Sequence, residues 1–126
     1  MLHRPGIAYG RLDGEPLQYV LGRWSFRGLD LIVDPRVLIP RPETEVVAEV
    51  AVGEVRRRGG PSVVADLGTG SGALALALAV ELPDAEVHIV DPGGHMVLLE
   101  HPAAVNEWLR DLLVRSRAVA VERGLA

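Results

Sequence analysis

The sequence contains no cysteine, no lysine, a single phenylalanine and a single asparagine. Without cysteine, disulfides, thiolate zinc sites, iron–sulfur clusters and a cysteine nucleophile are all excluded. Without lysine, the 13 basic residues are all arginine, a bias that fits GC-rich coding rather than a function. Seventeen acidic residues oppose them and the net charge is −4, so the chain has no basic footprint for nucleic acid. Aromatic residues amount to 4%, and the core must therefore be aliphatic, drawn from a 48% hydrophobic fraction too large for a disordered segment. Long apolar runs are also missing. The longest, Ala73 to Val80, is far too short to span a bilayer. The first 16 residues have no apolar core of the signal-peptide kind. The expectation is a soluble, cytoplasmic protein that engages neither membrane nor nucleic acid. A length of 126 residues suits one compact domain. A doubly wound enzyme, however, needs five or more strands at roughly 30 residues per βαβ step, so this length has room for about half of one.

Punctuation along the chain marks out the elements. Residues 1–16 are rich in Gly, Pro and Arg and read as an irregular lead-in. Residues 17–39 have β-type composition, LQYVLGRWSF and LIVDPRVLI on either side of RGLD, with Gly28 placed for a hairpin loop and Pro35 for a strand end or edge. Pro42, Glu43 and Glu45 then open a helix: proline is tolerated in the first turn, and carboxylates favour the positive end of the macrodipole. Val47, Val50, Ala51 and Val55 predict its buried face, and Arg56, Arg57 and Arg58 followed by Gly59 and Gly60 end it. SVVADL (62–67) is a short continuous apolar run, as in a buried parallel strand. ALALALAVEL alternates with period two, yet a helix is expected there, because alanine is a poor strand former and two parallel strands need a crossover between them. EVHIV (86–90) reads as a second parallel strand and HMVLLEH as a possible third. From Pro102 to about Arg117 a helix is expected, with Val105, Trp108, Leu109, Leu112 and Leu113 as its apolar stripe.

One motif carries chemistry. A strand ending in Asp66 runs into Gly68-Thr69-Gly70-Ser71-Gly72, a helix follows, and the next strand ends in Asp91, 19 residues after Gly72. Glycines permit tight curvature and let backbone approach a ligand with no Cβ in the way. The helix presents free N–H groups at its start. An acid at the tip of the next strand, about 20 residues on, can accept hydrogen bonds from ribose hydroxyls. The spacing is GxGxG rather than the GxGxxG that seats a pyrophosphate on a helix N-terminus. The D-x-G-x-G-x-G form resembles the loop of S-adenosylmethionine-dependent methyltransferases, whose ligand carries no phosphate.

The upstream segment sharpens the resemblance. GEPLQY, Phe26 followed by Gly28-Leu29, VLIPRPETE, and then DLGTGSGALALALAVELPDAEVHIVD together resemble the release-factor glutamine methyltransferases of the HemK type, over roughly residues 10–91. That family methylates the side-chain amide nitrogen of a glutamine in peptide chain release factors, using S-adenosylmethionine. The resemblance implies that Asp66, Gly68, Thr69, Gly70, Ser71 and Gly72 form the cofactor pocket and that Asp91 holds the ribose. It also places the region around Arg41-Pro42-Glu43-Thr44-Glu45 next to that pocket, where Arg41 and Glu45 fit a helix-start salt bridge as well as a direct role. The family's substrate motif is Asn-Pro-Pro-Tyr, whose asparagine and backbone carbonyl orient the target amide. An amide nitrogen is a poor nucleophile, so such alignment is a physical requirement. Here Asn106 precedes Glu107, no Pro-Pro pair occurs, and the family's helical N-terminal domain has no counterpart. No catalytic residue is therefore assigned.

Beyond Asp91 the methyltransferase pattern breaks. PGGHMVLLEHPAAVNEWLRDLL resembles the last strand and helix of α/β-hydrolases, with His95 in the place of the catalytic histidine, or else a late strand of the methyltransferase family itself. A hydrolase also needs a G-x-S-x-G elbow and an acid, and Ser71 in TGSGA does not supply the elbow. His88, Asp91, His95, Glu100 and His101 match no zinc spacing, and no metal is expected. The fold class expected is α/β, a truncated Rossmann-like sheet of about three parallel strands preceded by a β-hairpin. The organisation expected is lead-in and hairpin (1–41), cofactor-binding βαβ half (42–91) and an atypical C-terminal strand and helix (92–126). The function expected is a methyltransferase fragment with little or no turnover. The alternatives are an inactive protein with a structural or interaction role, or a hydrolase tail. Unpaired sheet edges also predict self-association.

Overall fold

A computed structural model describes residues 14–90 and 97–122. The first element is a short helix, α1 (Leu17–Leu21), and not the first half of a strand. Local capping explains the difference from the β-type composition. The Pro16 carbonyl accepts from the amides of Tyr19 and Val20, while Gly22, at φ 69°, turns back to donate to the carbonyls of Gln18 and Tyr19. Between a proline start and a left-handed glycine stop, five residues close a helical turn whatever their strand propensity. The hairpin proper comprises β1 (Arg23–Phe26) and β2 (Leu29–Ile32), antiparallel, with Phe26 opposite Leu29. Its two-residue turn, Arg27 at φ 45° and Gly28 at φ 76°, needs positive φ at both positions.

Helix α2 (Pro42–Arg58) lies where the proline and the glycine pair predict it. Its inner face agrees with the one expected at Ala51 and Val55 and departs from it at Val47 and Val50. Ala48 and Val52 are buried, with Ala51 and Val55 partly so, whereas Val47 and Val50 face solvent. The small Ala48 is fully buried, and Val52 packs with Leu78 and Leu82. Strand β3 (Ser62–Leu67), helix α3 (Ala73–Glu81) and strand β4 (Ala85–Val90) form a βαβ unit, with β3 and β4 parallel from the pair Ser62 and Ala85 to the pair Leu67 and Val90.

Helix α3 is wedged between two cores. Ala73 and Ala77 pack against Phe26, Leu31 and Val33 of the hairpin region. Leu78, with Leu82 just beyond the helix, packs with Val52 of α2 and with Val64 and Val87 of the strands. The alternation of alanine and leucine thus serves a helix with two partners, small residues toward the hairpin and larger ones toward the sheet. A helix apolar around most of its circumference is one that is covered on several sides.

In the C-terminal segment, α4 (Val97–Glu100) is a helical turn and α5 (Pro102–Glu122) a long helix. The possible third strand in HMVLLEH is therefore corrected: its described part, Val97–Glu100, is helical. Among the described residues the parallel sheet has two strands, not about three. Helix α5 runs past Arg117 to Glu122, and of its expected stripe Val105 is buried, Trp108 and Leu109 pack around it, and Leu113 is exposed. No helix of the described residues is long and apolar enough to cross a membrane.

Candidate functional site

The site begins where β3 ends. Asp66 is the one buried charged side chain among the described residues, 6% exposed. Its Oδ2 accepts from the Thr69 hydroxyl at 2.8 Å and from the Ala75 amide at 3.1 Å. A carboxylate at this depth needs such donors to offset the loss of water. Both come from the glycine loop and the first turn of α3, so the acid that closes the strand also shapes the turn leaving it.

The turn itself depends on glycine. Gly70 and Gly72 lie at φ 57° and 81°, a region that side chains with a Cβ rarely adopt. A Cβ at Gly70 would meet nothing within 4 Å, so backbone conformation and not crowding selects glycine there. Gly72 caps α3: its amide donates to the Thr69 carbonyl and its carbonyl accepts from the Leu76 amide.

Above the loop lies a cavity of about 480 Å³, within the size range of small-molecule and cofactor sites. Asp66, Gly68, Thr69, Gly70 and Ser71 line one side, and Ile39, Pro40, Arg41 and Thr44 line another. The two motif segments, separated by more than twenty residues of α2 and β3, thus face one space. Gly72, the helix cap, is not among the residues lining the cavity. Asp91 and His95 fall outside the described residues. Among the described residues no cluster of three or more metal-ligating side chains forms.

Arg41 and Glu45 do not form the helix-start salt bridge that their spacing allows. The Glu45 carboxylate instead accepts from the backbone amide of Arg27 at 2.9 Å. Arg27 is the residue that sequence reasoning missed. Its guanidinium grips Glu81, at the end of α3, with two hydrogen bonds of 2.5 and 2.6 Å, and Glu49 of α2 with another at 2.9 Å. From the hairpin turn it therefore ties together both helices that flank the cavity. Hydrogen bonds to Glu81 and then Glu49 raise its pKa above the ordinary arginine value, and the pairing lowers that of Glu81. Its partners lie 18 to 54 residues away in sequence, and no local pattern announces them.

No family model matches the chain. Curated proteins do. The chain is 50% identical over 82 residues to the release factor glutamine methyltransferase of Geobacter sulfurreducens, an overlap of 65% of this chain and 28% of that protein. To the enzyme of the same name from Gloeobacter violaceus it is 57% identical over 79 residues, 63% of this chain and 27% of that one. To the Homo sapiens protein named MTRF1L release factor glutamine methyltransferase it is 40% identical over 107 residues, 80% of this chain and 32% of that one. The resemblance carried by VLIPRPETE and the glycine loop is thus one to release factor glutamine methyltransferases, and the chain spans less than a third of the length of these relatives.

Proposed function

We propose that this chain carries the S-adenosylmethionine-binding part of a release factor glutamine methyltransferase and turns over little or no substrate by itself. The observation that carries the reading is the shared cavity. The glycine loop after β3 and the Pro40–Thr44 segment, two strings that resemble the family, line one space of about 480 Å³.

The residues fit such a ligand. Glycines at Gly68 and Gly70 leave the loop backbone open toward the cavity, and the Asp66 carboxylate holds the loop through Thr69 and Ala75. Asp91, at the end of β4 in sequence, is the acid assigned to the ribose hydroxyls. The bound cofactor supplies a methyl group on a sulfonium, and the acceptor by family resemblance is a glutamine amide of a peptide chain release factor. What the chain's own residues do is bind and orient the donor. Alignment of the amide is the task of an Asn-Pro-Pro-Tyr segment, which these 126 residues do not contain.

Titration calorimetry with S-adenosylmethionine and S-adenosylhomocysteine tests the reading. Binding by the wild-type chain and its loss in Gly70→Val, where a β-branched residue meets φ 57°, is the expected result. A folded protein that gives no heat at millimolar ligand overturns it. A release-factor peptide incubated with labelled cofactor should gain no label above background.

A further inference from the structure

We propose that Arg41 is the group that recognises the carboxylate of the ligand's amino-acid end, and so selects that end of the ligand in this cavity. The inference rests on the cofactor reading above and deepens it. Within residues 23–58 every other arginine has a described partner. Arg23 pairs with Asp30, Arg27 with Glu49 and Glu81, Arg36 with Asp34, and Arg57 and Arg58 with Glu54. Arg56 donates to the Glu81 carbonyl. Arg41 lines the cavity, and its side chain has neither hydrogen bond nor ion pair among the described residues.

Among the described residues, two acids that could neutralise Arg41 are engaged elsewhere. Glu45, one turn along the same helix, is held by the Arg27 amide. Asp66, the acid in the cavity wall, takes its hydrogen bonds from Thr69 and Ala75. The clamp at the hairpin turn thereby leaves a cation at the cavity rim, placed by the extended backbone (φ −79°, ψ 150°) that precedes α2. S-adenosylmethionine has no phosphate, and its one anionic group is the α-carboxylate. The guanidinium of a residue that lines the cavity has no other negative charge on that ligand to pair with, and the planar fork of arginine matches a carboxylate.

The test compares two probes that differ only in that group, S-adenosylmethionine and its decarboxylated form, by titration calorimetry on the wild-type chain, Arg41→Gln and Arg41→Lys. The wild type should prefer the carboxylated probe. Arg41→Gln should lose roughly tenfold in affinity for it and nothing for the decarboxylated one, the size expected for one charge-assisted contact. Arg41→Lys should keep part of the preference. Because Arg41 is exposed, thermal melts of the three proteins should coincide. Equal losses for both probes, or an undiminished preference in Arg41→Gln, overturns the assignment while leaving the cofactor reading intact. A wild-type chain that binds neither probe overturns both.

Discussion

Residues 17–90 and residues 97–122 are built on different plans. In the first region the hairpin, α2, α3 and the two parallel strands share two cores, and α3 belongs to both. Arg27 adds a polar tie across the same elements. In the second region Val105, the one buried side chain among those described there, holds α5 against Leu67, with Trp108 and Leu109 around it, while Leu99, Leu113, Val114 and Val121 remain in solvent. The Trp108 ring leans on His88 of β4, centroids 6.0 Å apart. A region whose elements are each held from two sides resists local opening, and one held by a single anchor opens first. The cavity beside the glycine loop lies in the tightly held region, where a loop of special backbone geometry can be kept in place.

The contrast can be broken most strongly from its core. Phe26→Ala empties the largest buried side chain of the hairpin core, 1% exposed, and should cost about 3–5 kcal/mol in urea unfolding. Because Phe26 packs near Ala73 and Ala77, the loss should also weaken ligand binding at the start of α3.

A smaller effect separates the two regions. Val105→Ala removes two buried methyl groups and should cost about 1–2 kcal/mol. Its main consequence should be local: proteases should cut within residues 102–122 sooner, while residues 17–90 stay protected. Leu113→Ala, at a position 67% exposed, should change stability by less than about 0.5 kcal/mol. Equal protease sensitivity in both regions of the Val105→Ala protein would contradict the division.

The smallest effect is that of acid, and it belongs to the first region. Hydrogen bonds from Arg57 and then Arg58 hold the Glu54 carboxyl at about 2, and Arg36 holds Asp34 at about 2. Arg27 likewise lowers Glu81. These groups are more acidic folded than unfolded. Their stabilisation is complete above the ordinary carboxylate range near 4.5 and disappears as pH falls toward 2. The pairs with Glu54 and Asp34 lie at the surface, so added salt should weaken this dependence. Thermal melts between pH 5 and pH 2, at low and high salt, would measure both trends.

Several elements were legible before any coordinates. Proline at one end and glycine at the other delimit α2, and an apolar run followed by glycines delimits β3, because these residues act through local backbone geometry. The helical reading of α3 held against its period-two pattern for the same kind of reason, since two adjacent parallel strands require a crossover. Two readings failed where local signals were weighed wrongly or were weak. Pro16 and Gly22 bracket LQYVL as helix ends do, and their local hydrogen bonds outweigh its strand propensity. VLLE has no period long enough to distinguish a strand from a helical turn.

By itself the sequence determined the glycine loop, the acid beneath it and the kinship of VLIPRPETE, since each is a matter of residue type at short spacing. It could not decide which face of α2 is buried, because Val52 is covered only once Leu78 of α3 is packed against it. Nor could it decide whether Glu45 pairs with Arg41 or with the amide of Arg27. That choice was made by a hairpin turn 18 residues away, where two positive φ angles aim one residue's backbone and guanidinium at two helices at once. Proximity of that kind exists only after folding, and it is what draws the Glu45 carboxylate to the hairpin turn.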